Sequence, residues 1–367
     1  MNDPRINTLA RILVKHSLQL KPGDLFIIRS APSAAPLVKA VYLHALKAGA
    51  HTHVHLGLDD LPELFYKHAS PKQLRYQSPL SLYEIQHADA QLSIISEDNT
   101  KNLTHVDPKK MAAVSLANQR ITRIFLERAA KGQLRWCLTQ YPTNAAAQDA
   151  DMSLTEYEDF LFQAAHATTQ NPLRYWKTMQ NKQEKIKQHL DKKTTFHITA
   201  KDTDLTLSTK GRTWINCFGR ENFPDGEVFT GPVETSAEGH ITYSFPISHG
   251  GREVHNVSLT FTKGKVTKAT ASQGEDFLKT MIKMDAGASR LGEFAFGTND
   301  GITQYTKNTL FDEKIGGTIH LALGSGYPET GSTNKSGLHW DMVCDLRKNG
   351  EIVADGSLIF KNGRFLF

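Results

Sequence analysis

Cysteine is scarce in this chain of 367 residues: Cys137, Cys217 and Cys344 lie far apart, with no C-x-x-C pair. That excludes a disulfide framework and a thiolate zinc knot, and an odd number of scattered thiols suits a reducing compartment. Long apolar runs are missing too. None approaches the roughly 18 residues of a membrane-spanning helix, and the N-terminus, MNDPRINTLARILVKHSLQL, is amphipathic without a signal-peptide core. A cytoplasmic protein with no membrane partner is the expectation.

Charge of one sign is not concentrated anywhere. The formal net charge of +5 is spread along the chain, and the densest basic run, Lys177 to Lys193, is broken by Glu184 and Asp191. It reads as a solvated helix face, so no nucleic-acid partner is expected. Several catalytic signatures are absent as well. The first apolar strand ends in Arg29-Ser30-Ala31-Pro32 rather than G-x-G-x-x-G, and neither H-E-x-x-H nor G-x-S-x-G occurs. A dinucleotide site of the usual kind, a single-zinc helix-based protease and an α/β-hydrolase therefore lose their support.

What remains is an ordinary globular composition, 39% hydrophobic and 22% charged, with room for two domains. In residues 1–190 short apolar strands (Leu25 to Arg29, His51 to Leu56, Leu92 to Ile95, Leu134 to Thr139) alternate with helical stretches, which predicts a Rossmann-like parallel α/β domain. A long polar helix over Pro172 to Leu190 closes this half. From 191 to 367 the apolar period turns to two, as in Phe196/Ile198, Leu205/Leu207 and Ile241/Tyr243/Phe245. A mainly antiparallel β domain is expected there, an α+β arrangement interrupted by one helix over Gly274 to Leu291.

The chemistry-bearing residues gather in the second half. His339 and Asp341 sit two apart on a predicted strand and so share a face. His320 lies inside the apolar stretch Thr318 to Leu323, Glu227 opens the apolar Val228-Phe229, and Glu293 precedes Phe294-Ala295-Phe296 at the end of the predicted helix. Glu313 stands seven residues before His320. A carboxylate among large apolar neighbours must be paired, coordinated or at an edge. Four carboxylates and two imidazoles suit two adjacent divalent ions, Zn, Co, Mn or Mg, better than one structural zinc, and hydrolysis is the natural chemistry of such a pair. A metal-dependent phosphoesterase and a non-catalytic metal-binding protein are the rival readings. The triplet His51, His53, His55 would also line one strand face, but with no carboxylate close by it is read as structural. Cys344 alternates to the side opposite His339, as a buried thiol, and GYPETGST lacks the lysine of a phosphate-binding loop.

The segments ENFPDGEVFTGPVE (221–234), RLGEFAF (290–296), LFDEKIGGTIHLALGSGY (310–327) and SGLHWDMV (336–343) resemble, in order and spacing, the thermophilic metalloaminopeptidase family of the T, S and PepS aminopeptidases. The resemblance implies an aminopeptidase acting on peptides, a homodimer, and a pair of divalent metals held by Glu227, Glu293, His320, His339 and Asp341, with Glu313 as ligand or bridging carboxylate. It also puts Tyr327, seven residues after His320, at the family's active-site tyrosine. Glu227 or Glu293 would serve as general base, Tyr327 as donor to an oxyanion, and the loop Gly324 to Gly337 would border the substrate.

Overall fold

Strands of two kinds build the chain, parallel ones separated by helices and antiparallel ones joined by tight turns. A computed structural model describes residues 3–249 and 252–367. It divides into two compact units, Met1–Leu173 with Gly219–Phe223, and Arg174–Phe218 with Pro224–Phe367. The border read from the sequence at 190/191 thus lies earlier here. Most of the helix Pro172–Leu190 goes with the second unit because Ile186 and Leu190 are part of that unit's core.

In the first unit five parallel strands run in the order His51–Leu56, Leu25–Ser30, Ala90–Ile95, Arg135–Gln140, Asn222–Phe223. Helices Pro4–Ile12, Ala35–Lys47, Pro108–Ala130 and Leu154–Ala164 accompany them. Their starts are written in the sequence. Asp3 accepts from the Arg5 N–H just ahead of Pro4, and Ser153 with Glu156 forms a complete capping box. One helix expected after the second strand is instead three short ones, Leu61–His68, Pro71–Leu74 and Pro79–His87. Each has a proline in its first turn, where the missing N–H costs nothing and a preceding helix cannot continue. The strand carrying His51, His53 and His55 is an exposed edge strand, and His55 Nε2 lies 2.8 Å from Glu84 Oε1.

The second unit has two large sheets. One holds eight strands, including Thr195–Ala200, Thr203–Ser208, Glu238–Thr242, Ser258–Thr262, Lys265–Thr270, Glu351–Ala354 and Ser357–Lys361. Three of its hairpins turn on Lys263-Gly264, Asp355-Gly356 and Asn362-Gly363, with positive φ at both residues, as a two-residue turn matched to strand twist requires. The other sheet has five antiparallel strands in the order His339–Asp345, Thr318–Gly324, Leu291–Gly297, Glu227–Thr230, Ile215–Cys217. Phe196, Ile198, Leu205 and Leu207 from the first join Phe294, Phe296, Leu321, Trp340 and Met342 from the second in one buried cluster. Trp214 meets Phe294 edge-on at 5.5 Å between ring centres. Burying each such side chain contributes about 1.5–3 kcal/mol, so this core fixes the five-stranded sheet firmly from one side.

The helix expected over Gly274 to Leu291 is shorter, Glu275–Ile282. Asp285 Oδ1 accepts from the N–H groups of Gly287 and Ala288, a local turn that competes with helix. A side chain at Gly287 would come within 2.1 Å of Asn334 Oδ1. Leu291 therefore opens a strand, and Glu293 stands inside it rather than at a helix end.

Candidate metal centre

Register decides which side chains of the five-stranded sheet face away from that core. Ala295 pairs with His320 and with Phe229, His320 with Val343, and Ala322 with both Glu293 and Asp341. Directly opposed residues and residues two apart share a face. Glu227, Glu293, His320, His339 and Asp341 consequently project from one face, drawn from four neighbouring strands. The alternate residues, Val228, Phe294, Phe296, Ile319, Leu321, Trp340 and Met342, fill the core. Small residues on the functional face, Ala295, Gly297 and Ala322, leave room between the long ones. A register shift between Leu291 and Glu293 brings Glu293 onto this face. It occurs at Gly292, where an added Cβ would stand 2.3 Å from the carbonyl oxygens of both Gly324 and Ser325.

Glu313 comes from elsewhere than a strand. It caps the C-terminus of the one-turn helix Thr309–Asp312. Asn308 starts that turn by accepting from the Leu310 N–H. Asp312, buried beside it, accepts from the N–H and hydroxyl of Thr306, and burial outweighs these bonds to push its carboxyl up to about 8. The backbone carbonyl of Glu313 accepts from His320 Nδ1 at 3.0 Å. His339 Nδ1 likewise donates to the Ser325 carbonyl at 2.8 Å. A carbonyl only accepts, so both Nδ1 atoms carry hydrogen and both Nε2 atoms turn to the acids.

Three overlapping triads result: Glu227, Glu293 and His320; Glu293, His339 and Asp341; Glu313, His320 and Asp341. In each, one ligand atom per residue lies within 4.8 Å of the others. His320 Nε2 is 3.2 Å from Glu293 Oε1 and 3.6 Å from Glu227 Oε2; His339 Nε2 is 3.5 Å from Glu293 Oε2 and 3.4 Å from Asp341 Oδ2. All six residues singled out from the sequence as ligands are thus brought together. Burial raises the Glu227 and Glu313 carboxyls, against the pull of Lys314, and Glu227 stays well above the usual range. Burial would lower His320, yet the hydrogen bond and charge of Glu293, with Glu227 and Glu313, lift it to about 10. His339 reaches about 10 as well, Asp341 and Glu293 overcoming its burial. Asp341 is held at about 2, because the bond to His339 and the surrounding cations outweigh its own desolvation.

Two buried oxygens at the centre, Glu227 Oε2 and Asp341 Oδ1, have no hydrogen-bond partner among the described residues. Unsatisfied carboxylate oxygens beside two oriented imidazoles form a donor set that fits divalent ions. Lys314 belongs to the site although no local sequence pattern singles it out. Its side chain is fully buried, its Nζ touches Glu313 Oε1 and lies 3.7 Å from Glu227 Oε1. The available signal was its position, next to Glu313 and between the buried Phe311 and Ile315.

Tyr327 is 41% exposed. Its ring stands 5.2 Å from Phe229 and 5.4 Å from His339, at the rim of the same face. The loop from Ser325 to Gly337 is tied down at two points. Glu234 Oε1 accepts from Ser332 and from the N–H and hydroxyl of Thr333, with Arg212 on the other oxygen, and Asp285 accepts from Ser336 and the Gly337 N–H. His51, His53 and His55 take no part in any such cluster among the described residues. Cys344 is buried on the core side, and burial pushes its thiol up to about 12, as an inert structural cysteine.

The sequence profile of a family described as thermophilic metalloprotease (M29) matches residues 2–365. Aminopeptidase AmpS of Bacillus subtilis is 27% identical over 99% of this chain and 98% of its own length. Wild-type AmpT from Thermus thermophilus shares the fold with a TM-score of 0.86 at 23% identity, over 99% of each chain. The 2,5-dihydroxypyridine dioxygenase from Pseudomonas putida KT2440 is a more distant likeness, TM-score 0.57 at 14% identity over 98% of this chain and 96% of its own. One architecture thus carries more than one named activity, and function must be argued from the site.

Proposed function

The chain belongs to the thermophilic metalloprotease (M29) family, and from that premise we propose that it removes N-terminal residues from peptides using two divalent ions held by Glu227, Glu293, Glu313, His320, His339 and Asp341. It is a metal-dependent hydrolase of the aminopeptidase class; the pairing of the ions and the residue roles are our own reading. The observation that carries this reading is the sharing of donors. Three triads overlap through Glu293, His320 and Asp341, more donors than one tetrahedral ion employs and an arrangement in which carboxylates can bridge. Zn, Co, Mn and Mg all accept such a set. When bound, the ions polarise the scissile carbonyl and acidify a water.

The chain's own residues do the rest. Glu293, engaged by His320 and His339 through its two oxygens, is the shared carboxylate that fixes the centre of the site. Glu227 Oε2, buried and without a hydrogen-bond partner among the described residues, is the acceptor suited to take a proton from water and return it to the leaving amine. Tyr327, at the exposed rim, donates its hydroxyl to the oxyanion. The anchored loop beside it borders the peptide. The family resemblance supports a homodimer, and the scattered cysteines suit a reducing, cytoplasmic setting.

A phosphoesterase reading expects, beside the metals, a basic side chain offered to phosphate. Arg290 already donates to the carbonyls of Glu234 and Lys263, and Lys314 is enclosed by Glu227 and Glu313. The test is to strip the protein with a chelator and assay aminoacyl chromogenic amides with Zn, Co, Mn or Mg restored. Loss of hydrolysis and its return with metal is expected. A folded protein that hydrolyses none of them under any metal would overturn the peptidase reading.

A further inference from the structure

We propose that Lys314 is a positioning residue that makes the two halves of the metal centre unequal. Its ammonium is a built-in cation on the side of Glu227 and Glu313, so the side formed by Glu293, His339 and Asp341 takes an ion first and more tightly. This rests on the reading of the six residues as metal ligands.

Lys314 is placed for that role. Its side chain has no exposed surface and its ion-pair partners among the described residues are Glu313 and Glu227. These two carboxylates belong to the two triads that contain His320; neither belongs to the triad of Glu293, His339 and Asp341. An ammonium is a compact point charge, and one buried among carboxylates cannot withdraw to water without leaving unpaired charge behind. The charge count follows. With both imidazoles neutral, as ion binding requires, the four carboxylates and Lys314 leave three negative charges among the donors. A first divalent ion leaves one, so the second enters a site that is already nearly neutral, beside a fixed cation. Without Lys314 the second ion would enter a site carrying two negative charges. The ammonium also holds Glu313 and Glu227 apart from each other's repulsion when no ion is present, which lets the pocket fold before it is loaded.

The experiment is a stepwise Zn²⁺ titration of the metal-free full chain against a chromophoric chelator, for the wild type and for Lys314→Met, which keeps the length and removes the charge. In the wild type the second dissociation constant should be weaker than the first by about a hundredfold. In Lys314→Met the second should tighten by at least about tenfold, as expected when a unit charge is removed from within several ångströms of a divalent ion, while the first changes little. Two equal constants in the wild type, or a variant that weakens both alike, would overturn the inference. A wild type that binds no ion would overturn the metal-centre reading itself, a distinguishable failure. Should Lys314→Met fail to fold without metal, the wild-type constants decide alone.

Discussion

Loading the centre with metal should release protons, chiefly from its two imidazoles. In the metal-free protein His320 and His339 both hold their protons up to about pH 10. Burial acts against this in each case, but Glu293, Glu227 and Glu313 around the first, and Asp341 with Glu293 around the second, win. An imidazole must be neutral for Nε2 to bind an ion. At pH 7, three pH units below these values, neutralising one imidazolium costs about 4 kcal/mol. Filling both halves therefore expels about two protons from the imidazoles, to which the raised Glu227 carboxyl adds, and overall affinity rises by at least about a hundredfold per pH unit until pH 10 is approached. The direction is firm: a raised imidazole pKa weakens metal binding as pH falls. Calorimetric titration of Zn²⁺ into chelator-stripped protein at pH 7, in buffers of different ionisation enthalpy, counts the protons directly. At least two are expected for the wild type, and one fewer for His339→Ala. Binding with no proton release would refute the view that these imidazoles are ligands.

The same shifts act on the metal-free fold. Raised imidazole pKa values contribute stability that is complete below the ordinary value of 6.5 and disappears as pH rises through about 10. The raised Glu227 carboxyl works in the same direction. The urea midpoint of chelated protein should fall from pH 6.5 to 10, and a flat profile would contradict the pairing seen here. Gly292→Ala should destabilise by about 1–3 kcal/mol or more and depress metal-dependent hydrolysis, since its Cβ meets two carbonyl oxygens at 2.3 Å; a variant with unchanged unfolding midpoint and activity would count against the bulge. His53→Ala, on an exposed edge strand, should stay within about 0.5 kcal/mol of wild-type stability and keep its metal content. Loss of metal from that variant would move the site to the other unit.

Much of the site was legible because strand alternation is a strong constraint. His339 and Asp341, or Glu293 ahead of Phe294-Ala295-Phe296, sort into a polar and an apolar face once a sheet is assumed, and the apolar face is the core found here. What local pattern could not supply was whatever depends on distant backbone. The end of the helix at Ile282 depends on Asp285 and on the space around Gly287. Glu313 lies on a helical turn because Asn308 caps it, and a four-residue helix leaves no periodicity to read. Lys314 escaped for a related reason. A lysine is ordinarily solvated, and only the three-dimensional gathering of Glu227 and Glu313 makes its burial tolerable. The histidine triplet shows the converse, a conspicuous sequence pattern that lies on an exposed edge with Glu84 as partner to one of its members.

The most direct measurement is anomalous X-ray scattering from crystals soaked in Co²⁺ or Zn²⁺, recorded at the metal's absorption edge. Strong peaks are expected among Glu227, Glu293, Glu313, His320, His339 and Asp341, the strongest on the side of His339 and Asp341. Peaks confined to other parts of the chain, with this sheet face empty at saturating metal, would contradict that placement.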